Sequence, residues 1–196
     1  CTVTVSPGAT ASSNCNTNAT SPTSGTVSIS SSNATTVSTN VTILGYGCIY
    51  QGGYVFALDD TTSTSASVAG KLAALVNEPS SLTWGPSGLT NVTSTTDGKE
   101  NTDILGNLVG TYPAADACYN KTTADYTNWY LPAICEMSYD DASPPAPDCG
   151  SSATPLLQNM QSNLVDYNNL SLLIGSAWSS TEVNTTRAWE QFFMNS

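Results

Sequence analysis

From its first residues to about position 44 the chain alternates β-branched with small polar residues, as in Thr2-Val3-Thr4-Val5, Thr26-Val27-Ser28-Ile29-Ser30 and Val37-Ser38-Thr39-Asn40-Val41-Thr42-Ile43. Alternation of period two marks strands with one buried face, and the Pro7-Gly8 pair and Asn/Ser/Thr/Pro clusters between the runs are turn formers. Residues 1–44 therefore read as a small all-β segment, Ig-like or otherwise strand-rich, with three or four strands. Its large apolar residues are few, so it needs a disulfide, a neighbouring domain or another copy to lean on.

Beyond residue 44 the pattern turns mixed. Gly47–Leu58 reads as a strand run, and Val68–Val76 as a strand or a short helix, because Leu72 to Val76 is an unbroken apolar stretch without a readable period. Tyr112–Asn120 predicts a helix, with Pro113 suited to the first turn and Ala114, Ala117 and Cys118 on one face. Pro132 opens a second helix through Met137. Thr154-Pro155 opens a third, whose stripe of Leu156, Leu157, Met160 and Leu164 reads as core. Strands follow near Ala177–Val183 and Ala188–Met194. The expected fold class is α+β for residues 45–196, preceded by the neutral Ser/Thr-rich β segment of residues 1–44.

Charge sharpens that division. No charged residue precedes Asp59, so the net charge of −11 falls entirely on the remainder of the chain. With Lys71, Lys99, Lys121 and Arg187 against 15 acidic residues, the chain offers no basic face, and a nucleic acid or other polyanion is repelled. No segment reaches the roughly 20 apolar residues of a membrane-spanning helix. Six cysteines, four Lys plus Arg and no His describe an exported protein with paired thiols. Six cysteines permit 15 pairings; the reading adopted is Cys1–Cys15, Cys135–Cys149 and, by elimination, Cys48–Cys118.

Absences limit the chemistry. Without His there is neither a Ser–His or Cys–His nucleophile pair nor a His metal cluster. Asp59-Asp60 and Asp140-Asp141 sit in turn-like contexts, where solvated loops compete with Ca²⁺ coordination by loop carboxylates; otherwise no cofactor or metal is expected. Trp84, in Leu82-Thr83-Trp84-Gly85-Pro86, is the aromatic expected to be exposed for ligand contact, while Trp129, Trp178 and Trp189 are expected in the core. Gly52-Gly53 lacks the lysine, spacing and helix start of a phosphate cradle and reads as close backbone packing.

Two segments carry more specific information: Asn128-Trp129-Tyr130-Leu131-Pro132 with Glu136, and Ala177-Trp178-Ser179-Ser180-Thr181-Glu182. Together with Tyr50–Phe56, Ala114–Cys118 and Ala188–Phe193, in that order, they resemble the C-terminal domain of the collagen-like bacterial adhesins of the Lcl type. The resemblance runs from about residue 46 onward. It implies a C-type-lectin-like domain in which Trp129, Leu131, Pro132, Glu136, Trp178, Ser179, Ser180, Thr181 and Glu182 are structural. Glu136 and Glu182 could face one another as an acid pair, but a buried carboxylate must find partners, so Glu136 is expected to bond backbone donors. The family continues past the position of Phe193 into a glycine-rich turn and a last strand; here the sequence stops at Asn195-Ser196, so either it ends early or the last strand is supplied from elsewhere.

The resemblance implies an exported bacterial cell-surface protein, extracellular or on the outer surface, binding a glycan or a protein receptor with no enzymatic activity. The family's sulfated glycosaminoglycan ligands do not suit so acidic a chain. Self-association is the alternative: a structural subunit of an extracellular filament joined by strand addition. The formylglycine-generating oxidases share a related fold, but they require a reactive cysteine pair, whereas an exported six-cysteine chain keeps its thiols oxidised.

Overall fold

The computed structural model describes residues 25–42, 44–59, 69–79, 82–140, 148–167 and 175–193. The strand expected at Thr2–Val5, the Cys1–Cys15 bridge, Asp60 and Asp141 lie outside them. The described residues mix helix and sheet, with more strand than helix.

β1 (Gly25–Ser31) and β2 (Ala34–Val41) form an antiparallel hairpin, with Val27 opposite Thr39 and Ile29 opposite Val37. Opposed residues share a face and successive residues alternate between faces. One face is therefore Val27, Ile29, Val37, Thr39 and Val41, and the other Thr26, Ser28, Ser38 and Asn40. The polar face is stitched by the Ser28 and Ser38 hydroxyls 2.7 Å apart and by Thr26 donating to Asn40 at 3.2 Å. The apolar face is open, with Ile29 50% and Val37 68% exposed.

β3 (Ile49–Tyr50), β4 (Gly53–Asp59) and β5 (Ala69–Ala74) form an antiparallel sheet in that order. The expected Gly47–Leu58 strand is thus two strands folded back at Gln51-Gly52, and the ambiguous apolar run around Leu72 is a strand. Because β3 covers only the start of β4, Phe56 and Leu58 need other backbone partners there. Amide side chains supply them: Gln158 accepts from Leu58 N at 2.8 Å and donates to its carbonyl at 3.0 Å, and Asn163 donates to Phe56 O at 2.8 Å.

Three short helices follow, α1 (Gly98–Gly106), α2 (Pro113–Tyr119) and α3 (Ile134–Met137), then a single π-type turn, α4 (Gln161–Asp166). Pro113 occupies the first turn of α2 as expected, and α3 begins two residues after Pro132. The helix expected from Thr154 is confined to α4. Gly150 instead bridges Pro155, and Leu156 N donates to Cys149 O at 2.7 Å, which folds this stretch into a turn. Leu156 is consequently exposed, while Met160 and Leu164 reach the core.

β6 (Gly175–Asn184) and β7 (Arg187–Phe193) form a terminal hairpin. Loops bond the outer edge of β6, through Ser180 N to Pro132 O at 2.8 Å and Glu182 N to Val92 O at 2.9 Å. Among the described residues β7 pairs with no strand except β6. The core has two main parts. Tyr54, Phe56, Met137, Leu164 and Phe193 pack on the β3–β5 sheet, and Trp84, Val92, Leu105, Tyr112 and Leu131 pack against α1 and α2.

Cys135 and Cys149 are joined by a disulfide with Cα atoms 5.0 Å apart. The pairing of Cys48 with Cys118 is overturned: Cys48 is disulfide-bonded and Cys118 is a free thiol. The two belong to different parts of the interior, Cys48 against Val55 under the sheet and Cys118 beside the Trp84 cluster, so elimination in sequence misassigned them. Burial, and then the Glu78 carboxylate, pushes the Cys118 thiol up to about 12, with Lys121 opposing. Iodoacetamide at pH 8 should leave Cys118 unmodified in the native chain and label it after unfolding; a non-reduced peptide linking Cys48 to Cys118 would refute this assignment.

Candidate functional site

The two sequence segments singled out above are brought together, and a buried carboxylate fixes where. Glu136 is 1% exposed. Its Oε2 accepts from Ala133 N at 2.8 Å and Gly98 N at 3.1 Å, while Oε1 accepts from the Tyr130 hydroxyl at 2.9 Å and from Lys71 Nζ on β5. One side chain thereby joins the start of α1, the start of α3, the Trp-Tyr-Leu-Pro turn and the sheet. Gly98 makes the approach possible, since a Cβ there would lie 2.5 Å from Glu136 Oε2 and 2.4 Å from Ala133 N. Asp97 caps α1 by accepting from Glu100 N at 2.9 Å. That Asp-x-x-Glu pattern was the available sequence signal for α1, a helix with too few large apolar residues to show a period.

The Ser-Ser-Thr strand is equally internal. Ser180 Oγ accepts from Asn101 Nδ2 at 3.2 Å, and Thr181 Oγ1 donates to Ser94 O at 2.8 Å while accepting from Ile134 N at 3.1 Å. Glu182 does not face Glu136. Its carboxylate accepts from Thr90 N at 3.0 Å, Asn91 N at 3.1 Å and the Thr90 hydroxyl at 3.1 Å. Both glutamates bind backbone donors, as a buried carboxylate must. Thr102 locks the turn from the other side, donating to Leu131 O and accepting from Leu131 N, each at 3.0 Å.

Trp84 is not the exposed aromatic that its loop context implied. Its ring is buried edge-on against Tyr112, with centroids 5.2 Å apart, and its N–H donates to Ser179 O at 2.9 Å. Trp178 and Trp189 are half-buried, Trp178 donating to Leu82 O at 3.1 Å and Trp189 packing near the disulfide. Asp140 is exposed, but its carboxylate accepts from Cys149 N and closes the neck of the disulfide loop. Asp59 ends β4 opposite Ala69. No three His, Cys, Asp or Glu side chains converge among the described residues.

Exposed aromatic surface is found elsewhere, around a cavity of about 210 Å³ lined by Tyr50, Gln51, Lys71, Tyr126, Asn128 and Trp129 above the β4–β5 sheet. Tyr50 and Tyr126 are 36% and 38% exposed. Trp129 is half-buried, and its indole N–H is the one described indole donor that is buried without an acceptor, a deficit of about 1–3 kcal/mol. Gly53 admits this ring, because a Cβ there would come within 3.2 Å of Trp129 Cη2 and 2.7 Å of Ala73 O. The glycine pair thus serves close packing, as its sequence context suggested.

Two strained turns border the cavity. Gln51 at φ 48° enters one, and Ala124 at φ 52° with Asp125 at φ 65° forms the other, closed by Thr123 and Tyr126. The turns touch, since a Cβ on Gly52 would lie 2.8 Å from Ala124 Cβ. Non-glycine residues in the left-handed region cost about 1–2 kcal/mol each, so the surrounding structure must hold them. Sequence reading missed the site because its rings come from two segments far apart in the chain, Tyr50 and Tyr126–Trp129, that no local pattern links. Comparison with known protein families, with characterised proteins and with solved structures finds no match.

Glu136→Ala should destabilise the chain by about 3–5 kcal/mol, because it strands two buried backbone donors and the Tyr130 hydroxyl. Lys71→Met should cost less, about 1–2 kcal/mol, because the buried carboxylate loses its cation but keeps its three other donors, and the Lys71 side chain is itself 40% exposed. Equal losses in urea unfolding would contradict this division. Burial, and then the Glu136 carboxylate, holds the Tyr130 phenol above its ordinary 10.0. The neutral phenol is therefore favoured in the folded chain, and its contribution is complete below pH 10 and lost as pH rises towards the folded value. The alkaline fall in Tm should be shallower in Tyr130→Phe, which pH-dependent thermal melts can check.

Proposed function

We propose that the chain is the binding domain of an exported bacterial surface protein, an adhesin or lectin-like module whose glycan or protein ligand seats in the cavity beside Trp129. The observation that carries this reading is a recess with an apolar floor that includes Val55, Phe56 and Met160, rimmed by the part-exposed rings of Tyr50, Tyr126 and Trp129 and by two strained turns. The core aromatics Trp84 and Trp178 have their donors satisfied inside the fold, whereas Tyr50, Tyr126 and Trp129 face a recess. Aromatic rings beside a few amide groups form a surface suited to recognition.

The Cys135–Cys149 disulfide supports an oxidising location. The mutual packing of the two sequence segments supports the C-type-lectin-like reading of residues 45–196. Binding is favoured over catalysis because the buried Cys118 thiol, with its raised pKa, is the opposite of an activated nucleophile. No helix among the described residues is long and apolar enough to cross a membrane.

A second reading rests on a separate observation. The β1–β2 hairpin carries no charge and leaves one apolar face open, and an isolated two-stranded hairpin is marginal in water. Together with β7, which among the described residues pairs with no strand except β6, this supports a filament subunit joined by strand addition.

Cells or beads displaying the wild-type chain should adhere to bacterial or host surface extracts. Tyr126→Ala and Asn128→Ala, both at exposed positions, should reduce adhesion at least about tenfold with unchanged Tm, a factor worth about 1.4 kcal/mol. Undiminished adhesion by both variants would remove the cavity from the function. For the second reading, the purified chain should sediment as polymers that disappear when residues 25–41 are deleted; a monodisperse full-length chain would refute it.

A further inference from the structure

We infer that the cavity beside Trp129 takes one ring of a neutral saccharide, bound without a metal ion, and that Trp129 supplies both a stacking face and a hydrogen-bond donor. This inference rests on the binding reading above and narrows it to a ligand class. Size is the first argument. At roughly 30 Å³ per water molecule, 210 Å³ holds about seven waters, which suits a single cyclic polyol better than a helix or an extended peptide.

Charge is the second argument. The cation at the cavity, Lys71, is already paired with Glu136, so the polar floor presents a compensated ion pair. Lys99 and Lys121 are likewise paired, with Asp103 and Glu78. An anionic sugar therefore finds no unspent cation in the lining, and it meets the field of a chain whose net charge is −11. A cationic ligand finds no carboxylate in the lining among the described residues, and Glu136, which reaches the lining through Lys71 and Tyr130, is already engaged by four donors. A neutral ligand is what such a surface accepts.

The third argument is the chemistry of the lining. A pyranose presents C–H groups on its faces and hydroxyls around its rim. Trp129 offers a π surface to the face, with Tyr50 and Tyr126 beside it, and Gln51 and Asn128 offer amides to the rim. The orphan indole N–H adds a directional element. It is closed off in this conformation, so a small tilt of the ring is needed for a sugar hydroxyl to accept from it, and that contact would satisfy a donor the fold leaves unpaired. The strained turns at Gln51 and at Ala124-Asp125 hold the rim groups before any sugar arrives, which lowers the ordering cost of a small ligand.

The test is a ¹H–¹⁵N NMR titration of the full chain, with the Trp129 indole resonance assigned by its loss in Trp129→Phe. The probes are the methyl glycosides of glucose, galactose and mannose, N-acetylglucosamine, a heparin fragment, and a short uncharged proline-containing peptide, each taken to tens of millimolar. At least one neutral sugar should shift the Trp129 indole N–H downfield saturably, with chelator making no difference and the heparin fragment giving no shift. Asn128→Ala and Tyr126→Ala should weaken that sugar at least about tenfold while leaving other amide resonances in place.

A saturable shift with the peptide and none with any sugar would overturn the saccharide inference while leaving a binding cavity. No shift of Trp129 with any probe would overturn both. A shift only with the heparin fragment would overturn the charge argument, and loss of the sugar response on adding chelator would overturn the metal-free mode.

Discussion

The burial of one carboxylate at a junction of four chain segments organises this fold. Glu136 is nearly inaccessible, and an ionised carboxylate is tolerated there only because each of its oxygens meets donors already fixed in place. Those donors come from the first residue of α1, the residue before α3, the turn between α2 and α3, and β5. The consequence is mutual: the helices are held at angles that aim their backbone N–H groups inward, and the Trp-Tyr-Leu-Pro turn is held so that Tyr130 points down to the carboxylate while Trp129 borders the cavity. A glycine at position 98 and a lysine that keeps part of its stem in solvent are parts of the same solution. Glu182 repeats the device on a smaller scale, gathering the Thr90-Asn91 backbone onto the terminal hairpin.

Much of this was legible in the sequence where the governing interaction is local. The alternation of Val and Ile with Ser and Thr gave the β1–β2 hairpin, Pro113 with its alanines gave α2, and the Cys135–Cys149 pairing closes a short loop. The internal role of the Ser-Ser-Thr strand and the bonding of Glu136 to backbone donors also followed, because a carboxylate inside an apolar segment has few alternatives. Legibility failed where the partner is distant. Trp84 lies among glycine and proline, a context that suggests exposure, yet a carbonyl 95 residues away captures its N–H. Lys71 reads as one more surface lysine until β5 places it 65 residues from its partner. The stripe from Leu156 to Leu164 has helical spacing, but the backbone bonds around Cys149 compete for its first half and win.

The division of charge gives the molecule two surfaces of different character. Residues from Asp59 onward carry all the charged side chains, and they are arranged so that three of the four basic residues are consumed in ion pairs, leaving acidic groups in excess. The hairpin before them is uncharged and amphipathic. The cavity lies on the charged part yet is itself electrically balanced, so it is distinguished from its surroundings by shape and aromatic character. A surface of that kind selects by fit and hydroxyl geometry, and salt has little leverage on it.

The hydrogen bonds that close the body span long stretches of chain: 112 residues from Tyr46 to Gln158, 107 from Asn163 to Phe56, 95 from Trp84 to Ser179 and 92 from Thr90 to Glu182. Loop closure on that scale must precede the contacts that reward it, so the topology belongs with slowly folding, non-local architectures. A nascent chain that has reached only α2 has the Trp84 ring but not the strand whose carbonyl receives its N–H, and the upper edge of β4 but not the amides that complete it. The β6–β7 hairpin is therefore made after the other described parts of the body and is a condition for their closure. Until it emerges, the aromatic and acidic residues of the body have no interior to enter, and the time spent in that state is set by the ribosome before it is set by the protein.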